Sequence, residues 1–342
     1  MTHSGTRKFT RALTALTVAA LGSALLTACG DSAGGSGDTV TIGIGGNIFD
    51  IPFQVAEAQG FFTQQGVKVK YVTLTASTGA SALESGSVQF LNDSPTGFLS
   101  ALGKHIPETA IAVDGGGNPL GLVVSTKFAS AHGLTAASPA AQVAQALAGS
   151  TGGASSANTK AEAGLFLKAH GVDPTKLKWV SLPSPAADKT ALKSDQIDWF
   201  VTSEPTPLDI QHSGDGIVVA DPVKVPAWSA AEAGYGELLV ARTSYLSEHA
   251  DVAKKVATAV QQATAYLNAN LDSEAVQAAA QKALAGVPAD VVKASLHQVD
   301  WPKSGAMSTA DWDKTLKFIN SLGALPQPAA VTADNWTNKY LS

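Results

Sequence analysis

Short apolar runs alternate with segments of helical periodicity along most of the chain, beginning at residue 39. Runs rich in Val, Ile and Thr predict strands, whereas apolar residues three to four positions apart predict helices. The first half contains predicted strands at residues 39–44, 67–74, 88–91, 110–113 and 120–125. Predicted helices lie between them, from Asp50 to Gly66 and at residues 80–85 and 96–103. This alternation indicates an α/β fold with a mostly parallel sheet flanked by helices, whose ligands bind beyond the carboxyl ends of the strands.

A second set of elements follows from residue 136. We predict strands at residues 177–182, 197–202 and 216–220, and helices at residues 140–147, 158–170 and 186–193. Residues 222–228 mark a crossover, after which a strand at 235–241 returns to the first sheet. The remaining helices are predicted at residues 251–269, 273–284, 289–296 and 310–322. The chain is therefore expected to form two lobes, with crossovers near Ser125 and Trp228 and a helical C-terminal part on lobe 1. Lobe 1 comprises residues 39–126 and 229–342, and lobe 2 comprises residues 127–228.

The first 28 residues carry the three parts of an export signal. Arg7, Lys8 and Arg11 precede an apolar run at residues 12–28 that is too short and too interrupted for a spanning helix. The run leads into Leu-Thr-Ala-Cys at residues 26–29, which resembles the lipobox of bacterial lipoproteins. The resemblance implies that Cys29 is diacylated, becomes the mature N-terminus and anchors the protein to the outer face of the cytoplasmic membrane. A flexible tether then reaches residue 38. The alternative is a chance cysteine after an ordinary signal peptide.

Composition narrows the possible partners. Residues 1–28 hold three of the 23 basic residues and none of the 28 acidic ones, so the mature chain has a net charge near −8. Such a chain is not expected to bind nucleic acid, which selects basic faces. Cys29 is the only cysteine, which leaves no disulfide, thiolate metal site or cysteine nucleophile for the folded part. Arg242 is the only arginine after the signal, which disfavours the arginine fork that usually holds carboxylates.

Several short motifs, taken in order, resemble one protein family. They lie at residues 40–44, 55–62 with Gly66, 82–88, 171–174, 191–199 and the pair Glu204-Pro205. Their order and spacing are similar to those of substrate-binding proteins of ABC importers, in the NMT1-like group for nitrate, alkanesulfonates, taurine and thiamine pyrimidines. The resemblance covers nearly all of residues 39–342. It implies a two-lobed periplasmic-binding-protein fold of type II that closes on a small ligand and docks on a permease.

Residues after the predicted strands of lobe 1 are candidate ligand contacts. They are Asn47 and Phe49 after the first strand, Ser77 and Thr78 after the second, and Asp93 and Ser94 after the third. These side chains and the backbone around them supply hydrogen-bond groups at the edge where ligands of such sheets bind. For the last two pairs, capping of the following helix is an equally good interpretation. Asp50 is interpreted as a helix cap.

Lobe 2 offers Ser155, Ser156 and Asn158 at the start of the predicted helix 158–170. The free amides and the dipole of a helix start favour an anion, although these side chains can also simply cap the helix. Glu204 follows a predicted strand and either receives an amine or holds the hinge. Trp228 either stacks on a planar ligand or packs in the core.

Together these features predict a binding protein rather than an enzyme. The histidines of the mature chain are far apart in sequence and no nucleophile elbow occurs, so no catalytic residue, metal site or cofactor is expected. The predicted function is a monomeric, exported, lipid-anchored receptor that delivers a small organic anion or zwitterion, similar to a sulfonate, taurine or nitrate. Its expected partners are this ligand in the interlobe cleft, an ABC permease with its ATPase, and the membrane through Cys29. Alternatives are a receptor for a neutral heteroaromatic vitamin precursor (a pyrimidine or flavin-like ring), an enzyme on the same scaffold, and a signalling lipoprotein.

Overall fold

The computed structural model describes residues 38–75 and 78–342. The predicted signal peptide, Cys29, the tether up to residue 37 and Ser77 lie outside the described residues. Within the described ranges, no helix is both long enough and apolar enough to cross a bilayer.

Two five-stranded sheets form the framework of the described chain. In chain order the strands are β1 Asp38–Ile44, β2 Val67–Thr73, β3 Phe90–Asp93, β4 Glu108–Gly116, β5 Leu120–Ser125, β6 Thr151–Ala154, β7 Lys178–Ser181, β8 Trp199–Ser203, β9 Gly216–Ala220 and β10 Tyr235–Arg242. The first sheet has the order β2-β1-β3-β10-β4, and the second has the order β7-β6-β8-β5-β9.

Both sheets follow the same plan. In each sheet three strands that follow one another along the chain are parallel, and the earliest of the three lies between the other two: β1, β2 and β3 in the first sheet, and β6, β7 and β8 in the second. One antiparallel strand then lies between these three and the last strand of the sheet, which is β4 or β9. The antiparallel strand follows a crossover directly in both sheets. It is β10 in the first sheet and β5 in the second. The predicted α/β fold with two mostly parallel sheets is therefore confirmed, and in each sheet the antiparallel strand is the first one after a crossover.

Helices cover the faces of both sheets. They are α1 Ile51–Ala58, α2 Phe61–Gln64, α3 Gly79–Glu84, α4 Pro95–Gly103, α5 Thr126–His132, α6 Ala140–Leu147, α7 Ala157–Ala169, α8 Pro185–Lys193, α9 Thr206–Ser213, α10 Ala230–Ala233, α11 Thr243–Glu248, α12 Ala250–Ala269, α13 Glu274–Ala283, α14 Ala289–Leu296 and α15 Thr309–Leu322. Many begin at a serine whose hydroxyl accepts a backbone N–H of the first turn, as at Ser94, Ser125, Ser184, Ser273 and Ser308. Such caps satisfy amides that have no partner within the helix.

The C-terminal helices complete the first lobe. The buried face of α12, which includes Val256, Val260 and Leu267, packs on α1, α2 and β4. Apolar burial of this kind contributes about 25 cal/mol per Å² of surface removed from water. The predicted helical C-terminal part therefore lies on lobe 1, although α14 and α15 also contact α9 and α7 of the second lobe.

The two crossovers between the lobes are hydrogen-bonded to each other. The Gly117 amide, in the first crossover, donates to the carbonyl of Gly234 in the second at 2.9 Å. The Asn118 amide donates to the Trp228 carbonyl at 2.8 Å. The two segments that connect the lobes are therefore hydrogen-bonded side by side.

The first crossover lies earlier than the sequence predicts. Residues 120–125 were expected in lobe 1, with the crossover near Ser125, and this prediction is wrong. The structure places β5 in the second sheet, where Leu120 pairs with Ser203. The crossover therefore occupies residues 117–119. The apolar run of β5 suits the interior of either sheet, so its hydrophobic pattern does not identify the sheet to which it belongs.

Two strand boundaries also differ from prediction. The segment 151–154, for which the sequence pattern gives no strand bounds, is the strand β6 between β7 and β8. Its Gly152 is required by close packing, because a Cβ there would lie 2.7 Å from Cζ2 of the buried Trp199. Strand β4, which is predicted to end at residue 113, continues to Gly116 and buries Asp114.

Gly152→Ala should destabilise the protein by about 1–3 kcal/mol, because overpacking forces neighbouring side chains to move. The neighbours are Trp199 and Trp179, whose ring atoms would lie 2.7 and 3.2 Å from the new Cβ. Gly103→Ala is the control, since Gly103 ends α4 with no atom within 4 Å of the added Cβ. Urea unfolding measures both variants. Equal free energies of unfolding for the two would contradict the packing argument.

Candidate functional site

The candidate site lies between the lobes, where the carboxyl ends of strands carry polar residues. Two hydrogen bonds bridge the lobes there. The Thr96 hydroxyl, near the start of α4, donates to Oδ1 of Asn158 on α7 at 3.2 Å. The Ser295 hydroxyl, on α14, donates to Oε2 of Glu204 at the end of β8 at 3.3 Å. The region beyond these strand ends is called the interlobe cleft below.

The loop after β1 is held by its own side chains. Asp50 accepts hydrogen bonds from the amides of Gly45 at 3.2 Å and Asn47 at 3.1 Å. Asn47 accepts from the Phe49 amide at 2.8 Å and caps the short 3₁₀ turn that precedes α1. Asp50 therefore holds the loop and does not cap α1 through its side chain, contrary to prediction. Burial raises the pKa of Asp50 to about 6, although these amides and Asn92 act in the opposite direction.

Phe49 packs into lobe 1. Its ring meets the ring of Trp301 edge-on, with centroids 6.3 Å apart. It also lies against the backbone of Gly115, where a Cβ would come within 2.2 Å of the Phe49 ring. Only 5% of Phe49 is exposed. Its packing explains why an aromatic residue follows β1, and its contact with a ligand stays a prediction.

The other candidates of lobe 1 have local partners. Thr78 bonds through its hydroxyl to the backbone of Thr75 and closes a turn before α3. Ser94 accepts from the Gly97 amide at 3.1 Å and caps α4. Asp93 stands one residue before this cap, and burial raises the pKa of its carboxyl to about 7 against a hydrogen bond from the Ser94 amide.

The start of α7 is capped from within. Ser156 accepts from the Thr159 amide at 3.0 Å, and the Thr159 hydroxyl accepts from the Ser156 amide at 3.2 Å. This reciprocal arrangement is a capping box, and it satisfies backbone amides that were expected to bind an anion. The predicted capping role of Ser156 is therefore confirmed.

Carboxyl groups lie close behind this helix start. Asn158 donates through Nδ2 to Oε1 of Glu162 at 2.9 Å, and burial raises the pKa of Glu162 to about 8. The Ser155 hydroxyl interacts with Asp188, which is fully buried and has its pKa raised to about 6 by desolvation. These carboxyl groups make the start of α7 less favourable for an anion than its amides and dipole suggest.

Glu204 and Trp228 both have structural partners. Glu204 accepts from the Leu208 amide and the Ser295 hydroxyl, both at 3.3 Å, and burial raises its pKa to about 8. It therefore links the second lobe to α14. Trp228 is fully buried and packs against Phe166, with ring centroids 6.2 Å apart. The core alternative accounts for its position, and ligand contact by either residue stays a prediction.

Two further carboxyl groups, which the sequence analysis does not propose, stand at the ends of β4 and β10. Asp114 is fully buried in β4, and Glu237 is 5% exposed in β10. Burial raises both pKa values well above their usual range. The charges of Asp114, Asp93 and Asp50 raise the pKa of Glu237 further. The available signal was an acidic residue within or directly after an apolar strand run, where carboxylates are rarely buried without a partner.

Glu162→Gln should make the stability of the protein less sensitive to pH. The pKa of Glu162 rises from 4.5 to about 8 on folding, so the folded state binds more protons between these values. Stability must then fall as pH rises through that window, by up to about 1.4 kcal/mol per pH unit from this group. Glutamine removes the titration and keeps an oxygen for Asn158.

Thermal unfolding from pH 4.5 to 8.5 measures this effect, and the exposed Glu248→Gln on α11 is the control. The gain in melting temperature over the wild type should grow with pH for Glu162→Gln and remain near zero for the control. Parallel curves for the wild type and Glu162→Gln would show that Glu162 does not titrate in this way.

Known structures share this architecture at low sequence identity. The ligand-binding component of an ABC-type import system from Staphylococcus aureus, with zinc bound, superposes with a TM-score of 0.70 and 14% identity, covering 89% of this chain and 97% of that one. The aliphatic sulphonate-binding protein SsuA from Escherichia coli gives 0.68 and 16%, covering 89% and 94%. The nitrate-binding protein NrtA from Synechocystis PCC 6803 gives 0.65 and 16%, covering 88% and 84%.

No curated protein sequence matches the chain. A family model described as NMT1/THI5 like matches residues 47–273, a range that begins in the loop after β1 and ends after α12. It includes both crossovers and the whole second sheet. Since this range covers most of the sequence, the chain belongs to the NMT1/THI5-like family.

Proposed function

We propose that this protein is the extracytoplasmic solute-binding component of an ABC importer. The observation that carries the proposal is the pair of hydrogen bonds across the interlobe cleft, Thr96 to Asn158 and Ser295 to Glu204. They join two lobes of the same strand order that are linked by two crossovers. Further support comes from solved neighbours named as import or binding components for sulphonate and nitrate.

The mechanism follows from this geometry. A ligand that touches both lobes binds the closed arrangement better than the open one and shifts the population toward it. Few residues need to change conformation, because hinge closure concentrates the movement in the crossover segments. The bridging side chains add a few hydrogen bonds that only the closed form makes. The closed receptor then presents both lobes together to the permease and its ATPase.

The ligand class predicted from sequence is a small organic anion or zwitterion. The dipole of α7 supports it, because a helix start attracts negative charge, although the capping box of Ser156 and Thr159 already satisfies amides there. The scarcity of arginine points to sulfonate-like rather than carboxylate groups. Glu162 and Asp188 oppose a bare anion at the same place.

A neutral heteroaromatic vitamin precursor is the second candidate. Glu204 has its pKa raised to about 8, so a protonated carboxyl in the cleft can donate to a ring nitrogen at neutral pH. Its weakness is that Phe49 and Trp228, the aromatic side chains proposed to stack on the ring, are packed in the interior. An enzyme on the same scaffold is a third candidate, and turnover of a bound ligand would identify it.

A thermal-shift screen tests the receptor function. The probes are sulfonates, nitrate, taurine and amino-pyrimidines, each added to purified protein lacking residues 1–28. A true ligand at about 100 times its Kd should add about 2.7 kcal/mol to the free energy of unfolding. Small-angle scattering with and without that ligand measures lobe closure. A ligand that is bound without closure, or that is turned over, would contradict the proposal.

Cys29→Ser should release a binding-competent protein into the medium of cells that express it. The variant keeps the signal but loses the thiol that lipidation requires. A lipid chain adds roughly 0.8 kcal/mol of membrane affinity per buried CH₂ group, so its loss should remove anchoring. Fractionation and ligand-induced thermal shift measure the two outcomes, with Ser32→Ala in the tether as the control. Retention of the Cys29→Ser protein on the membrane would contradict anchoring through Cys29.

A further inference from the structure

We propose that lobe 1 binds a cationic nitrogen group of the ligand, placed among Asp50, Asp114 and Glu237. The proposal rests on the receptor function given above and specifies the ligand further. Of the predicted ligands, it retains zwitterions, adds organic cations and removes bare anions such as nitrate.

These carboxyl groups come from neighbouring strands at one end of the first sheet. Glu237, in β10, pairs with Gly115 of β4, the residue after Asp114. Leu238, the next residue of β10, pairs with Asp93 of β3. Asp50 belongs to the loop after β1, and its charge acts on both Asp114 and Glu237. Because successive residues of a strand face opposite sides of the sheet, Asp93 lies on the other face from Glu237, although its charge still acts on Glu237. The fold therefore brings carboxyl groups from two neighbouring strands and one loop to the edge where ligands of such sheets bind.

Buried acceptors at this place have no donors. Neither carboxylate oxygen of Asp114 has a hydrogen-bond partner within the described part of the chain, although the side chain is fully buried. Asn92 gives independent support from an uncharged side chain. Its amide interacts with Asp50 and donates to the Phe49 carbonyl at 3.0 Å, whereas its Oδ1 is buried and unpartnered. Buried polar atoms in native proteins are nearly always paired, so these acceptors suit a ligand group that carries several donors.

The ligand group that suits these acceptors carries a positive charge. None of Asp50, Asp93, Asp114 and Glu237 forms an ion pair with a basic residue of the described ranges. Their pKa values are raised by burial and, for Asp114 and Glu237, also by neighbouring carboxylates. A buried group of like charges is stabilised when an opposite charge with hydrogen-bond donors enters among them.

An organic cation fits better than a metal ion. No three His, Cys, Asp or Glu side chains of residues 38–75 and 78–342 are arranged to hold a metal. An ammonium or amidinium group carries several N–H donors in different directions and can therefore reach carboxylates that are spread apart. The remainder of the ligand extends toward lobe 2, where Ser155 and the start of α7 can receive a polar or anionic end.

Three small molecules with the same two-carbon chain test this assignment. Taurine has an ammonium and a sulfonate, ethanolamine has the ammonium alone, and isethionate has the sulfonate alone. The corresponding three-carbon set (homotaurine, 3-aminopropanol and 3-hydroxypropanesulfonate) and choline extend the size range. Calorimetric titration should show binding by at least one compound with a cationic nitrogen. In that set the sulfonate without nitrogen should bind at least tenfold more weakly.

Glu237→Gln and Asp114→Asn locate the binding group. Each should weaken binding of the nitrogen compound by roughly tenfold or more, as expected when a hydrogen bond to a charged group is lost. Glu108→Gln is the matched control, because Glu108 is also a buried, unpartnered carboxyl of β4 but lies at the opposite end of the strand. Circular dichroism confirms folding, and two variants protect the test against the failure of either one to fold.

The outcomes separate this inference from the receptor function. If isethionate or nitrate binds as tightly as the nitrogen compounds and closes the lobes, the receptor function stands and the cationic site is wrong. Unchanged affinity in both variants also contradicts the site. If no compound with a cationic nitrogen binds, the assignment is overturned, and the wider screen described above then decides the receptor function.

Discussion

The return of the chain to the first sheet through β10 is the constraint on which the rest of the structure depends. Strand β5 follows β4 in sequence but pairs with β8 and β9, and β10 returns to pair between β3 and β4. Each inserted strand fills a position that would otherwise expose two sheet edges. Each lobe therefore has its own sheet, but lobe 1 is built from two chain segments that lie on either side of lobe 2 in the sequence. The ends of their strands must face the same cleft, because both crossovers leave and enter at that side.

Several carboxyl groups are buried in this protein. Asp114 and Glu204 lie at the carboxyl ends of strands, Glu237 lies near the amino end of the antiparallel β10, and Asp50 and Glu162 lie in the loop after β1 and in the first half of α7. All five have raised pKa values. A structural purpose is evident for Asp50, which binds loop amides, and for Glu204, which contacts α14. Among residues 38–75 and 78–342, no such partner accounts for Asp114. A cost in folding free energy that brings no internal hydrogen bond is typical of sites shaped by a ligand.

Much of the fold could be predicted from the sequence because apolar periodicity and caps are local. The strands at β1, β2 and β9 and helices such as α12 follow directly from such patterns. The bounds of strand β6 could not be predicted, because glycine is depleted in strands and the reason for Gly152 appears only when Trp199 is seen to pack on it. The sheet membership of β5 was equally inaccessible, because an apolar run is compatible with either interior. At the site, local caps such as Ser94 and Ser156 were predictable, whereas Asp114 and Glu237 become neighbours only through the pairing of β4 with β10.

The hydrogen bonds from Gly117 to Gly234 and from Asn118 to Trp228 tie the two connecting segments together. Two independent tethers would permit the lobes to slide, twist and bend separately. Two connecting segments that are hydrogen-bonded to each other behave as one hinge, and rotation of the lobes about that hinge is the easiest relative movement. The number of ways in which the two halves can approach is then small. In the proposed receptor, the cleft would meet its ligand with nearly the same geometry on every closure, and selectivity among small molecules of similar size would depend on that reproducibility.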